Sequence, residues 1–193
     1  MKTSFLFLAV WALSANSLAS DVAMPASSAA DTGVTICYNY GCYIHARVEF
    51  TPAQLDYLAR MFAGVGDAAT ERKVLGRAIG RMYYFAGDTT PIWHDHGLNF
   101  FDDGVNGKMD CIDHSHNTDE FLHLLDRRGL LRYHDVRSKV RRMAFLVAEH
   151  WTARVADKTN GAEYAVDSWY FDPGEPAAVM PIADWYRRKD PRG

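Results

Sequence analysis

The sequence predicts an α+β fold, with an N-terminal hairpin and helices and a mainly antiparallel sheet afterwards. Three observations predict it. Apolar residues recur at helical spacing through residues 51–86 and again after Cys111. Short runs rich in Val, Tyr, Trp and Thr fill the chain beyond Leu130, as strands require. Clusters of Gly, Asn, Asp and Pro punctuate both halves.

The first element is a targeting segment. "MKTSFLFLAVWALSANSLAS" has Lys2, an apolar run from Phe5 to Leu13, and small residues at Ser17 and Ala19. That is the pattern of a cleaved secretory signal over residues 1–19, too short for a spanning helix. Cleavage after Ala19 leaves 193 − 19 = 174 residues and moves the formal charge from −3 to −4 as Lys2 is lost. The expected location is periplasmic or secreted, with no membrane span in the mature chain. A mildly acidic chain argues against a nucleic-acid partner. Residues 20–33 are small and polar and read as a disordered leader. One domain is expected over 34–186, and 187–193 as a basic, solvated tail.

Within the domain, "VTICYNYGCYIHARVEF" holds two β-prone runs around "NYG" and predicts a hairpin. Cys37 and Cys42 flank its turn. In an oxidising compartment that spacing predicts a local disulfide, with two reduced buried thiols as the alternative. "TPAQ" then opens a helix: Thr51 as N-cap, Pro52 at the first helical position and Gln54 closing a capping box. A second helix is expected over about 68–86. Residues 87–109 have no period and many turn residues, a length of loop that marks function or disorder. A third helix runs from Cys111 to about Arg128, with Asp110 as N-cap and Gly129 at C′. Strands are expected at "LLRYHDV", "AFLVAEHWTARVA", "EYAVDSWYF" and "AAVMPI".

The chemistry gathers around Cys111. A helix N-terminus carries partial positive charge and free N–H groups, which favour a thiolate and hold an oxyanion. Cys111 shares a helix face with Ser115, Thr118, Leu122 and Leu125, so it points inward. That suits a nucleophile in a cleft and equally a small buried hydrophobe. Activation requires an imidazole oriented by a carboxylate. "EHWTARV" supplies His150 and "YAVDSW" supplies Asp167. If "KTNG" is a four-residue loop between these strands, His150 lies opposite Trp169 and Asp167 is its diagonal neighbour, within reach. A two-residue "NG" turn would instead place His150 opposite Phe171.

These segments resemble the bacterial transglutaminase-like cysteine proteins: a Cys at the start of a helix ending in "LLDRRGLLRYHDV", then "HWTARV", then "YAVDSW". The resemblance covers about residues 107–170. It implies a transglutaminase-like or papain-like core, with the Cys-bearing helix packed on the sheet. It also implies Cys111 as nucleophile, His150 as general base and Asp167 as orienting acid. The family includes crosslinkers, peptidases, amidases and inactive members, so fold alone does not name the reaction. The expected function is thiol-dependent hydrolysis or acyl transfer at a peptide, protein or other amide, without a cofactor. The backbone N–H of Cys111 is the first oxyanion donor, and Asn106 is the side-chain candidate ahead of Asn99. Trp93, Trp151, Trp169 and Trp185 are candidate groove aromatics, and Trp151 and Trp169, which flank the triad, are the expected substrate contacts.

Two other classes compete. "HDH", His94, Asp95 and His96, is a metal-binding pattern if those residues turn the same way, with one helix histidine joining them. His114 and His116 diverge on a helix, so they do not form a pair. "DDGVNGKMDCID" half-matches a calcium loop through Asp102, Asn106, Gly107 and Asp113, but its third position is Gly104. No metal site is therefore assigned. The third class is a binding domain that keeps the frame without catalysis.

Overall fold

A computed structural model describes residues 32–144 and 148–193. The expected signal segment and leader through residue 31 lie outside the described residues.

Strands β1 (Gly33–Tyr38) and β2 (Ile44–Glu49) pair antiparallel, with Cys37 opposite His45. Gly33, expected as the leader's last residue, is the first of β1. Between the strands, Asn39, Tyr40, Gly41 and Cys42 all adopt left-handed φ values of 59–69°. That conformation costs a non-glycine residue roughly 1–2 kcal/mol, so something outside the turn must hold it. The Cys37–Cys42 disulfide, with Cα atoms 4.8 Å apart, is one such restraint.

Helix α1 (Pro52–Phe62) starts at the expected capping box: Thr51 Oγ1 accepts from the Gln54 N–H, and Gln54 Oε1 from the Thr51 N–H. Helix α2 (Ala68–Gly87), capped by Asp67, buries Val74, Leu75, Ala78, Ile79 and Met82. Helix α3 (Cys111–Arg127) follows a 3₁₀ turn at Pro91–His94 and ends at Gly129, whose φ of 68° is the left-handed C′ geometry. A four-stranded antiparallel sheet follows in the order β3 (His134–Ala144), β4 (Ala148–Asp157), β5 (Glu163–Asp167) and β6 (Ala178–Pro181). Helix α4 (Ile182–Tyr186) closes the domain. The described chain is thus α+β, with four α-helices and two antiparallel sheets.

Helix α3 lies between the hairpin and the sheet, and Phe121, Leu122 and Leu125 join Ile36, Val155 and Val166 in one buried core. Glu71 of α2, wholly buried, accepts from the N–H groups of Arg132 and Tyr133 and from His134 Nδ1. Burial alone would raise its pKa, but these donors hold the carboxyl below its ordinary value. The connection from α3 into β3 is pinned by that one side chain.

The strand boundaries differ from the sequence reading in four places. Residues 144–156 are not one strand: β3 ends at Ala144, β4 begins at Ala148, and those two residues pair. The β3 segment 137–143, "RSKVRRM", has no apolar alternation because most of it is half-buried or exposed, and a bulge falls between Arg137 and Val140. "EYAVDSWYF" stops at Asp167, where the Asp167 side chain accepts from the Trp169 N–H and turns the chain. "AAVMPI" gives way after Pro181 to α4, which propensity did not reveal.

Candidate active site

Asp110 places Cys111 at the first position of α3. Its Oδ1 accepts from the N–H groups of Ile112 and Asp113 at 2.9 and 3.0 Å, and Asp113 Oδ2 accepts from the Asp110 N–H at 3.1 Å. The bridged turn grips this cap from outside. Tyr40 and Cys42 donate backbone N–H groups to Asp113 at 2.8 and 2.6 Å, and Gly41 donates to Asp110 at 3.0 Å. The left-handed turn residues aim successive N–H groups at two carboxylates, which is what stabilises their conformation. Burial, followed by the charge of Asp110, pushes the Asp113 carboxyl up to about 6.

The Cys111 sulfur lies against β4. It donates to the Glu149 carbonyl at 3.7 Å, and the Trp151 N–H faces it, so it meets the backbone on both sides of His150. That edge is open because the β4–β5 ladder ends at Ala153 opposite Val166. The Asp157 N–H bonds to the Ala162 carbonyl, so "KTNG" is the four-residue loop. Continuing that register sets His150 opposite Trp169. His150 Nε2 lies 2.7 Å from Asp167 Oδ2. A carboxylate only accepts, so Nε2 carries a proton, and in the neutral ring Nδ1 keeps its lone pair. His150 is 8% exposed and Asp167 2%.

Cys111 and His150 line one cavity of about 270 Å³, together with Tyr40, Asn99, Phe100 and Trp169. Phe100 stands edge-on to Trp169 at 4.8 Å, and Trp169 packs on the His150 ring at 4.9 Å. Burial pushes the Cys111 thiol up to about 11, with Asp110 and then Asp167 adding to the effect. The resting sulfur is therefore a thiol, although the helix start was expected to favour a thiolate. Two nearby carboxylates and desolvation outweigh a half-charge from the helix.

The remaining sequence candidates divide. Trp169 lines the cavity, whereas Trp151 is absent from its wall and lies near the Arg141 guanidinium. Asn106 is outside it as well: its Oδ1 accepts from Asn39 Nδ2, an ordinary loop contact. Asn99 does line the cavity, but its amide donates to Asp95 and Asp102. The "HDH" residues diverge. His94 stacks on Trp93, His96 faces Asp172, and Asp95 turns inward to His114 Nε2 at 2.8 Å. His114 also meets Ser168 at 2.9 Å through Nδ1, so this buried pair ties the 88–109 loop to α3 and the end of β5. Asp102 accepts from Tyr40 and pairs with Lys108, and Asp113 is committed to the cap, so the half-matched calcium loop is not assembled. Among the described residues, ligand atoms of Cys37, Cys42 and His116 lie within 4.8 Å of one another, but both sulfurs are in the disulfide.

Sequence reasoning placed Trp185 only among the aromatics that could line a groove, and it missed Tyr40. Trp185 of α4 donates Nε1–H to Asp167 Oδ2 at 2.8 Å, and Tyr40 brings the hairpin to the cavity wall. Neither lies in a catalytic motif. Both reach the site through tertiary contacts between segments far apart in sequence.

No family model, curated protein or solved structure matches this chain. Among the described residues no helix is long and apolar enough to cross a membrane.

Proposed function

We propose that this chain is an exported cysteine enzyme of amide acyl chemistry, built on a transglutaminase-like frame. The observation that carries the reading is the 2.7 Å contact between His150 Nε2 and Asp167 Oδ2, beside Cys111 in one cavity. Because the thiol rests protonated, His150 acts as a general base during attack rather than as half of a standing ion pair. The Cys111 S–H proton passes to Nδ1 as sulfur bonds to the carbonyl carbon. The tetrahedral oxyanion collapses, the amine leaves with that proton, and a thioester remains on Cys111. Water or an acceptor amine then releases the acyl group, giving hydrolysis or transfer.

Helix α3 has its Ile112 and Asp113 N–H groups taken by Asp110, while the Cys111 N–H faces its own sulfur. That group is the oxyanion donor in this reading. Phe100 and Trp169 give the acyl side an aromatic wall, suited to an apolar side chain of a peptide or protein substrate. The disulfide supports an oxidising compartment, in keeping with the signal-like first 19 residues.

The test uses p-nitrophenyl acetate as an acyl probe. A thioester adduct of acetyl mass on Cys111, absent from Cys111→Ser and slowed at least tenfold in His150→Ala, is expected. Folded protein that forms no adduct on Cys111 would leave a binding domain with an inert thiol.

A further inference from the structure

We propose that Trp185 is a positioning residue of this site, fixing Asp167 and through it the tautomer of His150; this rests on the catalytic reading above. Asp167 is 2% exposed and holds three donors. His150 Nε2 and Trp185 Nε1 reach the same oxygen, Oδ2, at 2.7 and 2.8 Å, and the Trp169 N–H reaches Oδ1 at 3.2 Å. Of the two side-chain donors, only the indole comes from outside the β4–β5 pair. Two donors on one oxygen leave the carboxylate little freedom to rotate about its own axis, which keeps Oδ2 aimed at the imidazole.

The surroundings of Trp185 are built for that role. Its side chain is 0% exposed and its ring is tilted only 30° from that of His150, with centroids 5.8 Å apart. The Arg142 guanidinium lies 4.5 Å from the indole centroid and also donates to the Trp185 carbonyl. Arg142 is the β3 residue paired with His150. A cation over the face of an indole is attracted to its ring, so strand β3 clamps helix α4 at the residue that orients Asp167. The Arg142 Nη2 bond to the Tyr170 hydroxyl at 2.8 Å fixes the clamp's other end. The last helix of the described chain thus completes the site, although residues 182–186 carry no catalytic motif.

Without the indole N–H, Oδ2 has His150 as its sole donor and the carboxylate gains a second orientation. His150 then samples the Nδ1–H tautomer, which cannot accept the Cys111 proton. Trp185→Phe removes the donor and keeps an aromatic ring. In wild-type protein, ¹⁵N shifts of the His150 ring at neutral pH should report Nε2–H alone. In folded Trp185→Phe they should report a mixture, and alkylation of Cys111 by iodoacetamide should slow about tenfold, the size of one hydrogen bond to a charged group. A single unchanged tautomer in folded Trp185→Phe overturns the proposal. If Trp185→Phe does not fold, Asp167→Asn in ¹⁵N-tryptophan protein tests the same bond. The Trp185 indole resonance should move upfield as a neutral acceptor replaces the anion, and an unmoved resonance overturns the proposal. The catalytic reading is judged separately: it fails if His150→Ala leaves Cys111 alkylation unchanged, whatever the tautomer shows.

Discussion

Cys42 donates its backbone N–H to Asp113 Oδ1 at 2.6 Å, joining the disulfide-bridged turn to the cap of the helix that carries Cys111. The bond spans 71 positions of sequence and makes the hairpin part of the site rather than an appendage. Reducing the disulfide should therefore loosen the start of α3 as well as the hairpin. Closing so short a loop contributes about 2 kcal/mol by the chain-entropy estimate, which in a domain of this size is about 5 °C of melting temperature. Thermal melts with and without a phosphine reductant check it. Hydrogen exchange at Ile112–Ser115 should accelerate on reduction. Unreduced peptide mapping should find one Cys37–Cys42 bridge and one alkylatable thiol, and a bridge to Cys111 would remove the nucleophile assignment.

The same cap predicts a pH dependence. The Asp113 carboxyl stands at about 6 in the folded protein, pushed up by burial and then by Asp110. An unfolded aspartate titrates near about 4. A folded-state pKa raised above the unfolded one gives stability that is full below about 4 and lost as pH rises through about 6. The wild type should therefore gain stability relative to Asp113→Asn as pH falls across that window. Taking the difference cancels the other carboxylates. Urea melts of both proteins at pH 4.5, 5.5 and 7 decide it: a flat difference, or one that grows with pH, contradicts the assignment.

The local grammar of the chain was legible. The capping box at Thr51, the Asp110 cap and the Gly129 stop each need only neighbouring residues. The pairing of His150 with Asp167 was legible for a different reason. A period of two and one loop length place both side chains on one face, and the four-residue "KTNG" loop supplies that register. What stayed hidden depends on packing. The exposed part of β3 carries no alternating signal, since most of it has no buried face to encode. Trp185 and Tyr40 enter the site by contacts that no spacing rule reaches. Asn106 was favoured as an oxyanion donor by its place before α3, but the chain turns at Gly107 and sends it to Asn39 instead.

That turn yields a paired prediction. Gly104 and Gly107 both have left-handed φ, at 81° and 92°. A Cβ at Gly104 would meet nothing within 4 Å, whereas one at Gly107 would sit 2.1 Å from the Pro91 carbonyl oxygen. Gly104→Ala should cost about 1 kcal/mol from backbone strain alone. Gly107→Ala should cost at least twice as much, because strain and a backbone clash add, and it should shift the loop that carries Asn99 and Phe100. Denaturant melts of the two variants check the ordering, and equal losses would refute it.

Asp110 has two opposed effects on Cys111. Its side chain caps α3 and so holds the thiol in place, yet its charge raises the thiol pKa, second only to burial. Asparagine caps a helix about as well as aspartate, so Asp110→Asn separates the two. With the helix cap kept through the one remaining oxygen, at the loss of the Gly41 contact, and the charge removed, the thiol should fall from about 11, and the thiolate fraction near pH 8 should rise. One charge a few ångströms away at an effective dielectric near 40–80 shifts a pKa by about one unit. A thiolate of lower pKa is also a weaker nucleophile, with a Brønsted slope of about 0.4–0.5, so roughly half of that gain on the logarithmic scale is returned. The alkylation rate with iodoacetamide should therefore rise about twofold to threefold in Asp110→Asn. The same gain is expected in a His150→Ala background, since Asp110 acts on the sulfur without the imidazole. Circular dichroism should show the helix content unchanged. A folded Asp110→Asn that reacts more slowly than wild type would mean that the cap's geometry, not its charge, governs Cys111.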